Sequence, residues 1–334
     1  TITDDDLPPA TPTFAADFND PADLANWNIR FADANAPESE DYTLEYGYDY
    51  SILGVPPAPN GTDTLGLYMQ VNKNDGTASA AGLNLYPKNQ TFAGDYVVRF
   101  DMYMIVGNAA STTEYALFGI NHSGDKVNWF RNSAGGVPGG SFDGLFYGIE
   151  SDGAALGDYV LYSAPTTAGN NPTALTPGRN ASTLTQVFKT PPYFGGGAPS
   201  NPEYNSEPSW VDVEISSIGG VVTLKMNQIE IFSYTNATPY TSGTVMLGYT
   251  DAYDSIGPAA SGVIYDNLRV ISLAAPTVTI TAINIAGGNV VIDFTGPSSD
   301  AASAYTLQEA STVNGSYNDV SATITGSGGS YTAT

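Results

Sequence analysis

The chain has 334 residues and 42% hydrophobic content, enough to bury one large core and a smaller second one. Ten basic residues against 34 acidic ones leave a net charge of −24, a field that repels phosphate backbones and anionic lipid and attracts hard cations. Nucleic acid and membrane surfaces are therefore excluded as partners; the absence of cysteine excludes disulfides, zinc–thiolate sites and thiol catalysis, and no apolar run reaches the length of a membrane span.

Residues 1–13 carry three prolines and three consecutive aspartates, the make-up of an extended arm. With neither Met nor a signal-like segment at Thr1, the expectation is a mature, processed product. Residues 41–50 alternate aromatic and polar positions, as a half-buried strand does. Further strands are expected over 64–71, 81–86, 95–106, 115–122, 144–150 and 159–162. Residues 163–209, rich in Pro, Gly, Asn, Thr and Ser, form a long loop. Short β-branched and aromatic runs then follow over 210–216, 221–226, 229–234, 243–249 and 261–272, each bounded by Gly, Asn, Pro or Ser. They have the signature of an antiparallel meander. Ala274-Ala-Pro276 marks a boundary, and five short runs over 277–285, 290–294, 304–309, 317–325 and 330–334 suggest a small immunoglobulin-like sandwich in 276–334. Such sandwiches need about seven strands, so this module is expected to lack a final one and to end on an open edge at Tyr331. Helical periodicity of useful length is absent.

Asp17-Phe-Asn-Asp20 followed by Trp27-Asn28 resembles the opening of concanavalin A-like jelly rolls, including laminin-G-like domains and family-16 glucanases. Tyr265-Asp-Asn-Leu-Arg-Val270 resembles their closing strand, and Trp210-Val-Asp-Val-Glu-Ile with 221–226 resembles the Trp-bearing hairpin of laminin-G-like domains. Residues 14–273 as a whole are similar to a group of secreted bacterial proteins, and the C-terminal stretch resembles their immunoglobulin- or fibronectin-like modules. The fold class implied is all-β: a concanavalin A-like jelly-roll sandwich, then a small immunoglobulin-like β-sandwich.

Glycoside hydrolysis is the enzymatic activity this resemblance implies, and retaining chemistry needs two carboxylates about 5–5.5 Å apart. The Glu-x-Asp-x-Glu strand of family-16 enzymes is missing. Glu150-Ser-Asp152 and Asp212-Val-Glu214 are partial matches, for which acidic residues on a solvent face are the preferred account. His122, the one histidine, is expected as a turn residue. By period two, Ile264, Asp266, Leu268 and Val270 share a face, so Asp266 interrupts an apolar row and needs a partner. The resemblance implies a structural Ca²⁺ held by Asp266 with Asp17 and Asp20; the alternative is an ion-free Asp266 bonded to backbone amides. Exposed tyrosines suit sugar stacking, and Tyr48, Tyr193 and Tyr253 are the candidates. Six Asn-x-Ser/Thr sequons occur, at Asn60, Asn89, Asn121, Asn180, Asn236 and Asn314.

The expectation is a secreted or cell-surface, non-enzymatic structural or adhesive protein of bacterial type. Its subunits would self-associate head to tail, the 1–13 arm entering the open sheet edge with Ile2 filling a pocket and Tyr331 lining the acceptor. The alternative is a carbohydrate-binding, lectin-like module for an extracellular polysaccharide.

Overall fold

The computed structural model describes residues 12–33, 41–72, 80–105, 114–130, 140–150, 159–166, 171–178, 210–252, 261–273, 278–296, 301–312 and 318–334. The chain divides into two units, Thr1–Leu273 and Ala274–Thr334. Both are all-β, and the described helical turns are short 3₁₀ segments such as Pro21–Asn26 and Tyr50–Leu53. No described helix is long and apolar enough to cross a membrane.

The first unit is a jelly-roll sandwich. One sheet contains β1 (Phe14–Ala16), β3 (Tyr42–Asp49), β4 (Leu65–Val71), β7 (Tyr96–Ile105), β12 (Val211–Ile218), β13 (Val221–Met226), β14 (Ile229–Thr235) and β16 (Gly262–Ser272). Its strands run in the order β14-β13-β12-β7-β16-β4-β3, with β1 paired to β16. The opposing sheet contains β2 (Trp27–Asp33), β5 (Ala81–Pro87), β6 (Phe92–Ala93), β8 (Glu114–His122), β9 (Leu145–Glu150), β10 (Tyr159–Ser163), β11 (Thr173–Ala174) and β15 (Ser242–Asp251). It runs β11-β10-β9-β8-β15-β5-β2, with β6 paired to β15.

Alternation places one side of each strand between the sheets. From β7 the inward set is Tyr96, Val98, Phe100, Met102 and Met104, which pack on Phe118, Tyr147 and Leu247 of the opposing sheet. Tyr265 spans this core: its hydroxyl lies 3.0 Å from the Leu117 carbonyl and 2.8 Å from that of Gly248, both on the opposite sheet. Burial holds the phenol well above its ordinary range, so it stays a donor.

β16 departs from the simple period-two expectation. A bulge between Asp266 and Arg269, with Asn267 in left-handed backbone (φ 53), resets the alternation. Val263, Tyr265, Leu268 and Val270 point into the inter-sheet core, whereas Ile264 joins an outer cluster with Tyr50, Val55, Ala58, Tyr68, Tyr103 and Trp210. Asp266 therefore does not share a face with Leu268 and Val270; it is on the outer side, opposite Asp101 of β7. A strap formed by residues 50–64 covers that outer cluster, with the Trp210 indole N–H donating to the Pro56 carbonyl at 2.8 Å.

The second unit contains β17 (Thr279–Ala286), β18 (Asn289–Thr295), β19 (Gln308–Glu309), β20 (Asn318–Asp319), β21 (Ile324–Ser327) and β22 (Ser330–Ala333). Four strands form a sheet in the order β17-β18-β22-β21, while β19 and β20 make a separate ribbon. The strand expected over 304–309 shrinks to β19, because Ala302–Ala304 is a 3₁₀ turn. The run 317–325 splits in two: Val320 N–H still bonds the ribbon at Leu307 O, but Thr323 N–H already bonds Thr334 O.

Tyr331 corrects the open-edge expectation. The Gly328-Gly329 turn (φ 64 and 89) folds β22 back between β18 and β21, and Tyr331, 3% exposed, stacks on Phe294 with ring centroids 5.4 Å apart. The sheet edges are instead β17 and β21. One face of the sheet is only partly covered. Ile280 pairs with Phe294, Ile283 with Ile292 and Ile285 with Val290, yet Ile280, Ile283, Ile285 and Val290 are 56%, 64%, 81% and 55% exposed.

Candidate functional site: an aromatic-floored groove and two buried polar networks

The groove forms where the chain passes from one sheet to the other. After β1, Asp17–Asp20 turns the backbone, with Phe18 at φ 57, a left-handed conformation rare for a bulky residue. That strain is offset by burial: the Phe18 ring packs against Trp27 (centroids 5.6 Å) and Tyr46 (5.2 Å) and is fully enclosed. Asp20 caps the 3₁₀ turn Pro21–Asn26 by accepting from Ala22 N–H at 2.9 Å. Gly47, at φ 78, lets β3 approach: a Cβ there would come within 2.8 Å of Pro21 Cγ.

The result is a cleft of about 370 Å³ lined by Phe14, Asp17, Asp23, Asn26, Trp27 and Tyr46 together with Ala15 and Ala16. A neighbouring cleft of about 360 Å³ shares Phe14, Asn26 and Trp27 and is walled by Pro87, Lys88, Asn89 and Gln90. Each falls within the size range of small-ligand sites. Phe14 is half-buried and stands edge-on to Trp27, 6.0 Å between centroids. The turn after β5 is clipped to the 3₁₀ segment by Lys88 N–H on Asn26 O and Lys88 Nζ on Ala25 O, both at 2.8 Å. Burial pushes the Tyr46 phenol up to about 12; a Trp27 hydrogen bond lowers it, and the charges of Asp23, Asp17 and Asp20 raise it. It remains a proton donor beside an acidic rim.

The first buried network lies under the strap. Register sets Asp212, Asp101 and Asp266 abreast on β12, β7 and β16. Asp101 accepts from Asn60 N–H (3.1 Å), Asn60 Nδ2 (2.8 Å) and Asn267 Nδ2 (2.9 Å). Asp266 accepts from Asn267 N–H at 2.7 Å, and its other oxygen lies 3.1 Å from the Tyr50 hydroxyl. Burial pushes Asp266 up to about 7 against the pull of Asn267 and Tyr50, with Asp101 and Asp63 adding to the rise. Burial and Asp101 raise Asp212 in the same way. Asp101 and Asp266 are buried, closed to a sugar by the strap.

The second network surrounds His122 on the outer side of the opposing sheet. His122 Nδ1 lies 2.9 Å from Asp143 Oδ1, and Asn128 Nδ2 donates to the same oxygen at 3.1 Å. Ser123 Oγ donates to Asp143, not to the imidazole. A nucleophile–base pair is therefore not assembled, and the buried histidine is one member of a hydrogen-bonded lattice with Asn84, Asn128 and Tyr86. Burial works against the Asp143 charge, but the bond to His122, its charge and the Ser123 donors hold the carboxyl well below the usual range.

The residues singled out from sequence are scattered among these settings. Asp17 accepts from Asn19 N–H at 3.2 Å on the groove wall, and Asp20 is a turn cap, whereas Asp266 is bonded under the strap. Among the described residues no group of three or more Asp, Glu or His could hold a metal ion, so the implied calcium set does not fit. Tyr48 is half-buried and stacked on Tyr68, 4.7 Å between centroids. Tyr193, Tyr253 and Ile2 lie outside the described residues. Glu150 accepts from the Tyr115 hydroxyl at 2.9 Å in one sheet, while Glu214 in the other is paired with Arg99 at 2.7 Å. Phe14, Asp23, Lys88 and Asn89, which meet at the groove, were not singled out together, because the long-range pairing of β1 with β16 and β2 with β5 brings them together.

No protein-family model and no curated protein matches the chain. Among solved structures it is similar to a galectin-like protein of unknown function from Bacillus subtilis, at 10% identity over 78% of this chain and 96% of that one, TM-score 0.43. The Emp47p carbohydrate recognition domain matches at 12% identity over 74% and 88%, TM-score 0.39. The VIP36 exoplasmic/lumenal domain, in a Ca²⁺/Man3GlcNAc-bound form, matches at 8% over 80% and 92%, TM-score 0.36. The protein is an all-β jelly-roll sandwich with a second, smaller all-β unit.

Proposed function

We propose that the protein binds a glycan in the groove over Phe14 and does not cleave it, acting outside the cytoplasm where polysaccharide is met. The observation that supports this reading is the half-buried Phe14 ring, seated on the buried Trp27 and Tyr46, flanked by Asp17, Asp23 and Asn26 on one wall and Lys88, Asn89 and Gln90 on the other. A sugar ring offers an apolar C–H face to an aromatic and a rim of hydroxyls to amides and carboxylates, and this lining supplies both. Emp47p is described as a carbohydrate recognition domain, which agrees with the reading without carrying it. Non-cleavage is supported by the separate sheets and fixed partners of Glu150 and Glu214.

Screening on an immobilised glycan panel followed by calorimetry tests this. Phe14→Ala is expected to weaken the best ligand about five- to thirteenfold, the loss of a stacking contact worth about 1–1.5 kcal/mol. The variant should still melt cooperatively, though at a lower temperature, because Phe14 also packs on Trp27 and Phe92. A chelator in the same titration is expected to leave affinity unchanged. A silent panel, or a ligand indifferent to Phe14→Ala and Asp23→Asn, would overturn the proposal.

A second reading is self-association, favoured by the uncovered isoleucines on β17. A sheet edge with an exposed apolar face is a template for another chain. The 1–13 arm as donor remains part of that reading.

A further inference from the structure

The fold sorts the sequons. Asn121 is 3% exposed, donates to Tyr240 O at 3.0 Å and accepts from the Tyr96 hydroxyl at 2.6 Å, so a sugar on its nitrogen is incompatible with the packed core. Asn60 is drawn onto buried Asp101 by its side-chain amide and its backbone N–H. Asn236 spends its Nδ2 on Tyr240 O at 2.8 Å and its Oδ1 on Thr238. Asn180 and Asn314 lie outside the described residues. Asn89 differs from the other three. It occupies the turn between β5 and β6 in left-handed backbone (φ 57), is exposed, and makes no side-chain hydrogen bond among the described residues; Thr91 of its sequon is exposed as well. A turn tip presents the amide and the hydroxyl together to an enzyme without disturbing a ladder.

We infer that Asn89 is a glycan acceptor, modified at Nδ2 by an oligosaccharide delivered on a polyprenyl diphosphate. In that step a bond forms between Asn89 Nδ2 and the anomeric carbon, the bond from that carbon to the diphosphate oxygen breaks, the lipid diphosphate leaves with the electron pair, and the amide gives up one proton. Redox chemistry and metal in this chain are not required. The attached sugar would stand on the wall formed by Pro87, Lys88 and Gln90, at one end of the groove. The inference holds whether or not the groove takes a free glycan, because it rests on the turn and the sequon alone.

Peptide mapping of the protein purified from the cells that naturally make it tests the inference. Trypsin releases residues 89–99, which contain this sequon and no other. A sugar-bearing form of that peptide is expected, with peptides carrying Asn60, Asn121 and Asn236 unmodified. Amidase treatment of the denatured intact chain in heavy-oxygen water, before trypsin, should convert Asn89 to mass-tagged Asp. Asn89→Gln and Thr91→Ala should each lose the sugar, Thr91→Ala melting like the parent and Asn89→Gln slightly below it because Gln tolerates left-handed backbone less well than Asn. Recovery of 89–99 only in bare form, sugar on the Asn121 peptide, or sugar surviving both substitutions would each overturn it.

Discussion

Asp266 shows how one carboxyl can favour the proton it holds. When ionised, its Oδ2 accepts from the Tyr50 hydroxyl at 3.1 Å; when protonated, Oδ2 can donate to the Tyr50 oxygen while Tyr50 donates to Asp63 O at 3.0 Å. In both states Ala58 N–H reaches the phenol at 3.2 Å and Asp266 Oδ1 accepts from Asn267 N–H. Each of these donors then has an acceptor. The negative groups facing it are Asp101 from β7 and Asp63 from the strap. The folded chain keeps this proton to about pH 7, while the unfolded chain releases it near the ordinary 3.8. Stability contributed by the bound proton is therefore greatest in acid and declines as pH climbs between those values. Asp266→Asn reproduces the protonated pattern, donating to Tyr50 and accepting from Asn267. Its melting temperature is expected to be flat from pH 5 to 8 in this respect, with a gain of roughly 1–2 kcal/mol over the parent at pH 8. Equal pH slopes in the two proteins would refute the assignment. Asp143 has the opposite sign: its stabilisation by His122 and Ser123 is present at neutral pH and is lost only in strong acid. A carboxylate in an apolar run marks Asp266 as needing partners from sequence alone, but the partners come from a strap some two hundred residues upstream, which no local pattern contains.

Among the elements, β16 depends on a single extra residue. Asn267 adds the half-step that keeps Tyr265 and Leu268 both inside, and its side chain bonds Asp101. Deleting Asn267 removes the extra residue and leaves strict alternation, with Leu268 and Val270 still inward and Arg269 still outward. The deletion variant is therefore expected to keep cooperative melting at reduced stability, having lost the Asn267 bonds to Asp266 and Asp101, whereas Asn267→Gly keeps the backbone and costs about 1–3 kcal/mol for the missing side-chain bond to Asp101. A deletion variant without cooperative melting would sink this account of the bulge. Runs such as Val221–Met226, with alternating apolar positions and a glycine turn before them, are legible without a partner. β1 and β2 are not. Phe14-Ala-Ala has no period of its own and becomes a strand because Val270, Arg269 and Leu268 offer it a ladder. The groove inherits that opacity, since Phe14 and Trp27 belong to opposite sheets.

For the whole molecule, the succession of short alternating runs made the all-β class legible, while the second unit shows what such runs conceal. Its aromatic core of Phe294, Tyr305 and Tyr331 is complete, and the same sheet face continues uncovered through Ile280, Ile283 and Ile285. Ile283→Lys with Ile285→Lys is expected to leave the melting of the chain nearly unchanged and to shift any oligomer seen in sedimentation toward monomer, because charge on an edge strand blocks pairing. An oligomer that survives the pair removes β17 from the contact. With −24 charges, added salt should raise the melting temperature by screening self-repulsion.

The Tyr265 hydroxyl, held against the Leu117 and Gly248 carbonyls, gives unfolding a clock with two hands. Its proton is shielded from solvent only while the two sheets stay face to face, whereas amide protons in β8 and β15 stay shielded while their own ladder lasts. Exchange of the phenolic proton ahead of those amides would mean that the layers part before either one frays.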